Sequence, residues 1–325
     1  MRVTQSVSGA VGLFLAAALF STEARAVIFY STGSGTYNTT APTGSLAGSG
    51  WQWVGLWGGY EGTPIGPHHF LTAKHVGGAV GGSFVFGGNS YMTTAYFDDP
   101  SSDLRIYEVS GTFPTWAPIY RSSGEVGQGL VVIGVGVGRG DPVVLDGVTK
   151  GWMWGSVAGP MRWGQNTINS VVDGGAYWGP LLYALFQADA GPNEADLAVG
   201  DSSSPVFIND GSGWKLAGIA GAVDGPFNTT DSGTGFYAAM FDANGLYTQD
   251  NGGPWYLISG DGPVPTGFYS TRVSARAAWI DSIVPPEESG DSPLFSGSEA
   301  VILVAGVAAI GALFSRPAAS AKGGS

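Results

Sequence analysis

The sequence contains no cysteine and only three histidines among its 325 residues. Without cysteine, the chain has neither a disulfide scaffold nor a zinc site with cysteine ligands. Basic residues are also scarce, because 13 Lys and Arg stand against 25 Asp and Glu, which gives a formal net charge of −12. An acidic surface repels nucleic acid and anionic lipid, so neither is an expected partner.

Charged residues make up only 12% of the chain, whereas 44% of it is apolar, so a chain of this length can bury a sizeable core. Glycine is abundant, with 55 residues and no three-residue period, which excludes a collagen-like chain and indicates many tight turns. A disordered chain would carry more charge and fewer aromatic side chains.

The first 26 residues have the pattern of a secretory signal peptide. An apolar run at 7–20 follows Arg2, and Ala24 and Ala26 form the small-residue pattern of a cleavage site. An amphipathic first helix is the alternative, but the run has no polar face. We therefore expect export to the periplasm, the cell surface or the medium, with cleavage after Ala26.

The C-terminal end predicts a second targeting element. An acidic Pro/Ser/Gly stem at 286–299 precedes an apolar segment at 300–315, and a short tail at 316–325 follows. A spanning helix needs about 17–25 residues, so this segment is short for one. Stem, apolar segment and basic end together resemble bacterial surface-sorting tails of the PEP-CTERM kind. A plain membrane anchor is the alternative, so the expected partners are the membrane and a sorting or processing machinery.

Between 27 and 285, short apolar runs rich in Val, Ile and aromatic residues alternate with turn residues, which predicts strands. Examples are 83–88, 104–109, 130–138, 205–210 and 214–223. Helical periodicity is confined to 271–284, where Pro285 stops the pattern. The Gly-rich stretch 155–195 gives no assignment. We therefore predict a mostly β region that ends in one helix.

Three segments bring together the residue types of nucleophilic catalysis. They are "GTPIGPHHFLTAKHV" at 62–76, "DDPSSDLRIYEV" at 98–109 and "DLAVGDSSSPVFIND" at 196–210. A serine hydroxyl needs a neighbouring base, and an imidazole base needs a carboxylate to fix its tautomer. A tight glycine-containing turn can present backbone amides to an oxyanion, and the amides of Gly200 and Ser202 are the candidates.

Each position has competitors within its segment. His68 and His69 compete with His75, and Asp98 and Asp99 compete with Asp103, although only Asp103 directly precedes the apolar strand. Ser203 and Ser204 compete with Ser202, although only Ser202 follows the Gly-Asp pair.

These segments resemble those of the trypsin/chymotrypsin family of serine peptidases. The first is similar to the family's Leu-Thr-Ala-Ala-His segment, "DLRIYEV" to its Asp-Ile-Ala-Leu-Leu strand, and "GDSSSP" to Gly-Asp-Ser-Gly-Gly-Pro. The resemblance implies that His75 is the general base, that Asp103 orients it and that Ser202 is the nucleophile. Further segments at 113–120, 126–138 and 269–283 follow in family order.

The resemblance implies an all-β fold of two six-stranded antiparallel barrels, chymotrypsin-like, with a C-terminal helix and a boundary near 125–130. It implies a serine endopeptidase that acts on protein or peptide substrates through an acyl-enzyme, without metal or organic cofactor. The chain departs from the family pattern in having Ser203 and Ser204 in place of two glycines, and Lys74 in place of an alanine. These departures, together with the Trp-rich stretch at 50–60, favour an alternative: a catalytically inactive, peptidase-like surface binding module.

The same resemblance implies a specificity pocket at Asp196, Gly221, Ala222 and Val223. Asp196 lies where trypsin-like members carry the carboxylate that receives Arg or Lys, and Val223 is placed to narrow the entrance. We interpret Asp196 as a solvated loop acid, with Glu194 and Asp189 nearby, rather than as the base of the pocket.

Asp201 matches the aspartate that, in animal members, pairs with a newly cut N-terminus. Cleavage after Ala26 would expose Val27-Ile28, but the following residues lack the glycines of that switch. The sequence therefore speaks against this form of activation.

Overall fold

The structure is a computed structural model that describes residues 26–250 and 252–285. The predicted stem, apolar segment and tail lie outside these residues. The predicted signal peptide also lies outside them, except for its last residue, Ala26. Within them, no helix has both the length and the apolar character needed to cross a membrane.

The first barrel is closed by six antiparallel strands in the order β2-β3-β4-β7-β6-β5. After a two-residue strand β1 (Ile28–Phe29), they are β2 (Gly55–Trp57), β3 (Tyr60–Gly66), β4 (His69–Ala73), β5 (Ser83–Phe86), β6 (Asn89–Asp98) and β7 (Leu104–Val109). Strict alternation in β5 buries Phe84 and Phe86 and exposes the two residues between and before them. Phe84 stacks on Phe70 with 4.0 Å between ring centroids, so aromatic rings fill this barrel.

The second barrel is closed by six strands in the order β11-β12-β20-β15-β14-β8. The strands of this half are β8 (Gly129–Gly134), β9 (Val137–Leu145), β10 (Val148–Ala158), β11 (Arg162–Asp173), β12 (Pro180–Leu185), β13 (Ala195–Asp196), β14 (Pro205–Asn209), β15 (Trp214–Val223), β16 (Phe227–Asn228), β17 (Ala238–Met240), β18 (Tyr247–Thr248), β19 (Tyr256–Leu257) and β20 (Gly267–Arg272). Aliphatic side chains dominate its interior, among them Leu130, Val132, Leu182 and Val206.

Three small sheets surround the second barrel. Strand β1 pairs with β13, β10 lies between β9 and β17, and β18 lies between β16 and β19. The β1–β13 pairing carries the N-terminal segment across the chain to the region just before Ser202. The stretch 155–195, which the sequence left unassigned, contains all of β11, the short helix α1 (Gly175–Trp178) and β12.

The predicted helix at 271–284 is shorter than expected. Its first two residues belong to β20, where Thr271 pairs with Leu181 and Ile219. A 3₁₀ turn follows at Val273–Arg276, and only Ala277–Asp281 form the α-helix α2. Cross-strand pairing therefore overrides the helical periodicity of the first residues.

A shared apolar cluster joins the two barrels and the C-terminal helix. Its buried members come from the first barrel (Leu71, Ile106), from the second (Ile133, Phe207) and from α2 (Ile280). The two closed six-stranded antiparallel barrels and the short C-terminal helix confirm the predicted chymotrypsin-like fold class.

Candidate active site

Three elements bring His75, Asp103 and Ser202 together between the barrels. His75 lies in a 3₁₀ turn that directly follows β4, Asp103 directly precedes β7, and Ser202 precedes β14. The His75 Nδ1 atom lies 2.5 Å from Asp103 Oδ2, and its Nε2 atom lies 2.8 Å from Ser202 Oγ. These distances are within hydrogen-bonding range for a base between a carboxylate and a hydroxyl.

Asp103 is held from several sides. Its side chain is only 1% exposed, and its Oδ1 atom accepts the backbone N–H of His75 at 3.0 Å. The Tyr177 hydroxyl donates to the same oxygen at 3.3 Å. With one oxygen bound by the His75 amide and the other by the ring, the carboxylate fixes the imidazole orientation and favours a proton on Nδ1.

The turn that carries Asp103 is fixed by Asp99. This fully buried carboxylate accepts hydrogen bonds from Ser101 and Ser102 and from the guanidinium of Arg276, which reaches it from the C-terminal 3₁₀ turn. Burial alone would raise the pKa of Asp99, but these hydrogen bonds and the Arg276 charge outweigh it and lower that pKa. Asp99 is therefore a structural anchor rather than a partner of the histidine.

Lys74 points away from the imidazole. Its ammonium donates to the backbone carbonyls of Asp99, at 3.2 Å, and Ser102, at 2.7 Å, and it lies 5.2 Å from the centre of the Tyr177 ring. The lysine that departs from the family pattern thus braces the Asp103 turn.

The turn at 200–203, which carries the candidate nucleophile Ser202 and is called the nucleophile turn below, has unusual backbone angles at two positions. Gly200 has φ 93°, and a Cβ there would lie 2.8 Å from the Cα of Gly136, so only glycine fits. Ser203 has φ 74°, in the left-handed region that a serine rarely adopts. Within the described residues, the amides of Gly200 and Ser202 donate to no protein acceptor, which leaves both available to an oxyanion.

Asp201 is turned into the protein, behind the nucleophile turn. Its carboxylate accepts the amides of Gly136 and Ala198, at 2.8 and 2.9 Å. Burial raises the pKa of Asp201 to about 7, although these amides, the Arg162 charge and the amide of Val27 all act to lower it. Val27, the residue that the predicted cleavage would expose, is thus among the residues whose backbone amide acts on the pKa of Asp201.

A second buried acid, Glu61 on β3, accompanies Asp201. The side chain of Glu61 is fully buried, and burial together with the nearby Asp201 charge raises its pKa well above the usual range. Sequence reasoning missed this pair, because the two residues lie 140 positions apart. A glutamate inside a strand that is otherwise buried was the one available signal.

A pocket of about 190 Å³ opens beside Ser202. Small and apolar residues dominate its lining, with Ala198, Ala220 and Ala222 at the walls, Trp154 on one side and Val223 among the lining residues. The predicted members Gly221, Ala222 and Val223 all line it, whereas Asp196 does not.

The interpretation of Asp196 as a solvated acid is wrong. Asp196 is 2% exposed, because β13 pairs with β1 and places Ile28 opposite it. Burial raises the pKa of Asp196 well above its usual range, and its Oδ1 accepts the amide of Leu197 at 2.8 Å. Glu194 is buried too, which raises its pKa to about 8, and only Asp189 of the three is exposed.

Helix α1 supplies two side chains that sequence reasoning missed. Tyr177 reaches Asp103, and the Trp178 ring lies edge-on to the His75 ring, with 5.9 Å between centroids. A Cβ at Gly221 would lie 2.7 Å from Trp178, so this glycine makes room for the indole. The stretch "GGAYWG" has no strand or helix periodicity that would have revealed this role.

The competing residues lie elsewhere. The Nδ1 atom of His68 is 2.6 Å from the carbonyl of Gly111, and Asp98 pairs with Arg105 at the surface. His69 lies on β4 opposite Glu108, and Ser204 is buried behind the turn. In the part of the chain that the structure describes, no group of three or more His, Asp or Glu side chains is placed to hold a metal ion.

Comparison with known proteins shows no family for this chain. No protein-family model matches the chain, and no curated protein matches it. Among solved structures, the chain is similar to neuropsin, a serine protease expressed in the limbic system of mouse brain. The match has 14% identity and a TM-score of 0.45, and it covers 73% of this chain and 96% of the other. The two closed barrels thus remain the evidence for a chymotrypsin-like fold.

Proposed function

We propose that the protein is a serine endopeptidase that hydrolyses peptide bonds through an acyl-enzyme. One observation carries the proposal: the Nε2 atom of His75 lies 2.8 Å from Ser202 Oγ while its Nδ1 atom lies 2.5 Å from buried Asp103. Such a chain of contacts is the arrangement that activates a serine hydroxyl.

In the proposed reaction, Ser202 Oγ attacks the scissile carbonyl carbon as its proton passes to His75 Nε2. The amides of Gly200 and Ser202 stabilise the oxyanion that forms. His75 then gives the proton to the leaving amine as the C–N bond breaks, and an ester to Ser202 remains. Water deprotonated by His75 hydrolyses that ester and restores the serine.

We also propose that the residue before the cut is uncharged and apolar. The lining of the pocket beside Ser202 supports this, since its only acid, Asp201, is engaged by backbone amides. An Arg or Lys side chain would find no free counter-charge there, and burying an unpaired charge is unfavourable.

The sequence patterns at both ends support a second proposal: export, with a C-terminal membrane or sorting segment. N-terminal sequencing of the protein recovered outside the cytoplasm tests the leader, with Val27 as the expected first residue. Intact mass tests whether the segment 300–315 is retained. A first residue far from position 27 would contradict the proposed cleavage.

The decisive test of the enzymatic proposal is Ser202→Ala. We expect this variant to keep its circular dichroism spectrum and its unfolding transition, and to lose hydrolysis of an unfolded protein substrate by several orders of magnitude. Wild type should be labelled at Ser202 by an organophosphonate. A wild type that neither hydrolyses nor labels would support the binding-module alternative.

A further inference from the structure

Ser203, the residue next to the proposed nucleophile, makes a buried contact that crosses between the barrels. Its Oγ accepts the backbone N–H of Ala73 at 2.9 Å. The Thr72 hydroxyl lies 2.9 Å from the same oxygen and 3.1 Å from the carbonyl of Glu61. Ser203 and Thr72 are both fully buried, so solvent does not compete for these bonds.

This contact lies close in the chain to both His75 and Ser202. Ala73 ends β4, two residues before His75, and Ser203 directly follows Ser202. The Ser203 amide in turn donates to the carbonyl of Ala220 at 2.9 Å, which fixes the turn on β15 of the second barrel. One hydroxyl thus connects the strand that delivers the base to the turn that delivers the nucleophile.

The backbone conformation at Ser203 indicates that the contacts of its hydroxyl stabilise this turn. Its φ of 74° lies where glycine is accommodated without strain and serine is not. A serine in such a conformation persists only when surrounding contacts hold it there, and here those contacts are the ones to Ala73 and Thr72.

We infer that Ser203 is a positioning residue whose hydroxyl fixes the distance between Ser202 and His75 across the interface of the barrels. This inference rests on the proposed peptidase function and adds to it a residue that acts through the reacting pair. Its removal should affect the chemical step, which depends on that distance, more than substrate binding.

Two substitutions separate the hydroxyl from the backbone strain. Ser203→Ala removes the hydroxyl and keeps the strained Cβ, whereas Ser203→Gly removes the hydroxyl and relieves the strain. Ser270→Ala is the matched control, because Ser270 is a buried serine of the second barrel whose hydroxyl has no hydrogen-bond partner in the described part of the chain. For each protein, kcat and KM on an apolar peptide substrate are measured separately, together with the unfolding transition and the rate of organophosphonate labelling.

We expect both Ser203 variants to lose about tenfold in kcat, with KM within about twofold of wild type, because a small displacement of reacting groups costs rate rather than binding. Ser203→Gly should unfold at a higher denaturant concentration than Ser203→Ala, yet share its kcat. Ser270→Ala should keep the wild-type kcat.

A Ser203→Gly variant with wild-type kcat would overturn the inference, as would a kcat that follows stability across the three variants. If Ser203→Ala does not fold, the glycine variant decides alone, since glycine suits this backbone. An active wild type with unaffected variants rejects the inference only. A wild type that neither hydrolyses nor labels rejects the proposed function, and the inference with it.

Discussion

At the scale of single residues, small side chains set the shape of the pocket beside Ser202. Ala198, Ala220 and Ala222 leave a volume of about 190 Å³, and Val223 is among the larger side chains that limit it. Asp196 is buried opposite Ile28 in the β1–β13 pair and takes no part in the lining. The pocket thus discriminates by size and polarity rather than by charge.

Val223→Gly should enlarge the pocket and favour large residues before the cut. Each methylene that an apolar pocket gains or loses changes kcat/KM by roughly tenfold or more. We therefore expect the ratio of kcat/KM for a Phe substrate over an Ala substrate to rise about tenfold. The measurement compares kcat/KM for two peptides that differ only in the residue before the cut.

Asp196→Asn is the control for this prediction. It should leave that ratio unchanged and should not alter the cleavage of Arg or Lys substrates. A wild type that prefers Arg or Lys, and loses the preference in Asp196→Asn, would contradict the proposed apolar preference.

At the scale of elements, the C-terminal 3₁₀ turn and α2 act as a brace for the turn that carries Asp103. Arg276 donates to fully buried Asp99, and its side chain is itself only 18% exposed. On α2, Asp281 pairs with Arg121, which lies before β8, and both side chains are about one-third exposed. The two ion pairs therefore differ in burial, which predicts different contributions to stability.

Arg276→Ala should lower the free energy of unfolding at pH 7 by about 3 kcal/mol, because it leaves a buried carboxylate unpaired. Arg121→Ala, the matched control, should cost less than about 1 kcal/mol, as exposed pairs do. The pKa of Asp99 is lowered in the fold, so its contribution is present at neutral pH and is lost as pH falls through that lowered value.

The cost of Arg276→Ala should consequently shrink toward pH 3. Urea unfolding at pH 7 and at pH 3 measures both effects. Equal costs for the two arginine substitutions at pH 7 would contradict the role given to Arg276.

The elements and the site differ in how far the sequence predicts them. Strands β5, β7, β14 and β15 were predicted, because their apolar runs end at turn residues, and the candidate triad was predicted from local segments. Tyr177, Trp178 and the hydroxyl of Ser203 were not predicted as parts of the site, since their contacts depend on how distant turns meet. The predicted helix at 271–284 is longer than the observed one, because hydrophobic periodicity carries no information about the pairing of Thr271 with Leu181.

At the scale of the whole molecule, the first described residues, 26–29, pack against the half of the chain that forms the second barrel. Val27 and Ile28 are fully buried, and β1 pairs with β13 just ahead of the nucleophile turn. Arg162 donates to the carbonyls of Ala26 and Val27, and the Val27 amide acts to lower the pKa of Asp201. Cleavage after Ala26, as proposed above, would therefore affect the region around Asp201.

A chain that begins at Val27 should be more stable near pH 7.5 than one that retains Ala26, by about 2 kcal/mol, because a charged amine would then face the Asp201 carboxylate. In the longer chain, the raised pKa of Asp201, about 7, means that stability declines as pH rises toward and through that value. The difference in the free energy of unfolding between the two chains should therefore narrow toward pH 4, where the longer chain keeps Asp201 protonated.

Urea unfolding of both chains across this pH range tests the prediction. Asp201→Asn, introduced into both chains, should remove most of the difference. Chains of equal stability at pH 7.5 would contradict the pairing.

The buried acids Glu61, Glu194 and Asp196 have a calorimetric consequence. Burial raises the pKa of all three acids, that of Glu194 to about 8, so at pH 7 the folded chain holds the Glu194 proton, which the unfolded chain has given up. Denaturation in neutral solution should therefore release protons to the buffer. The apparent unfolding heat should differ between phosphate and Tris at the same pH, in proportion to the ionisation heats of the two buffers. Identical heats in the two buffers would show that the buried acids, Glu194 included, are already ionised in the fold.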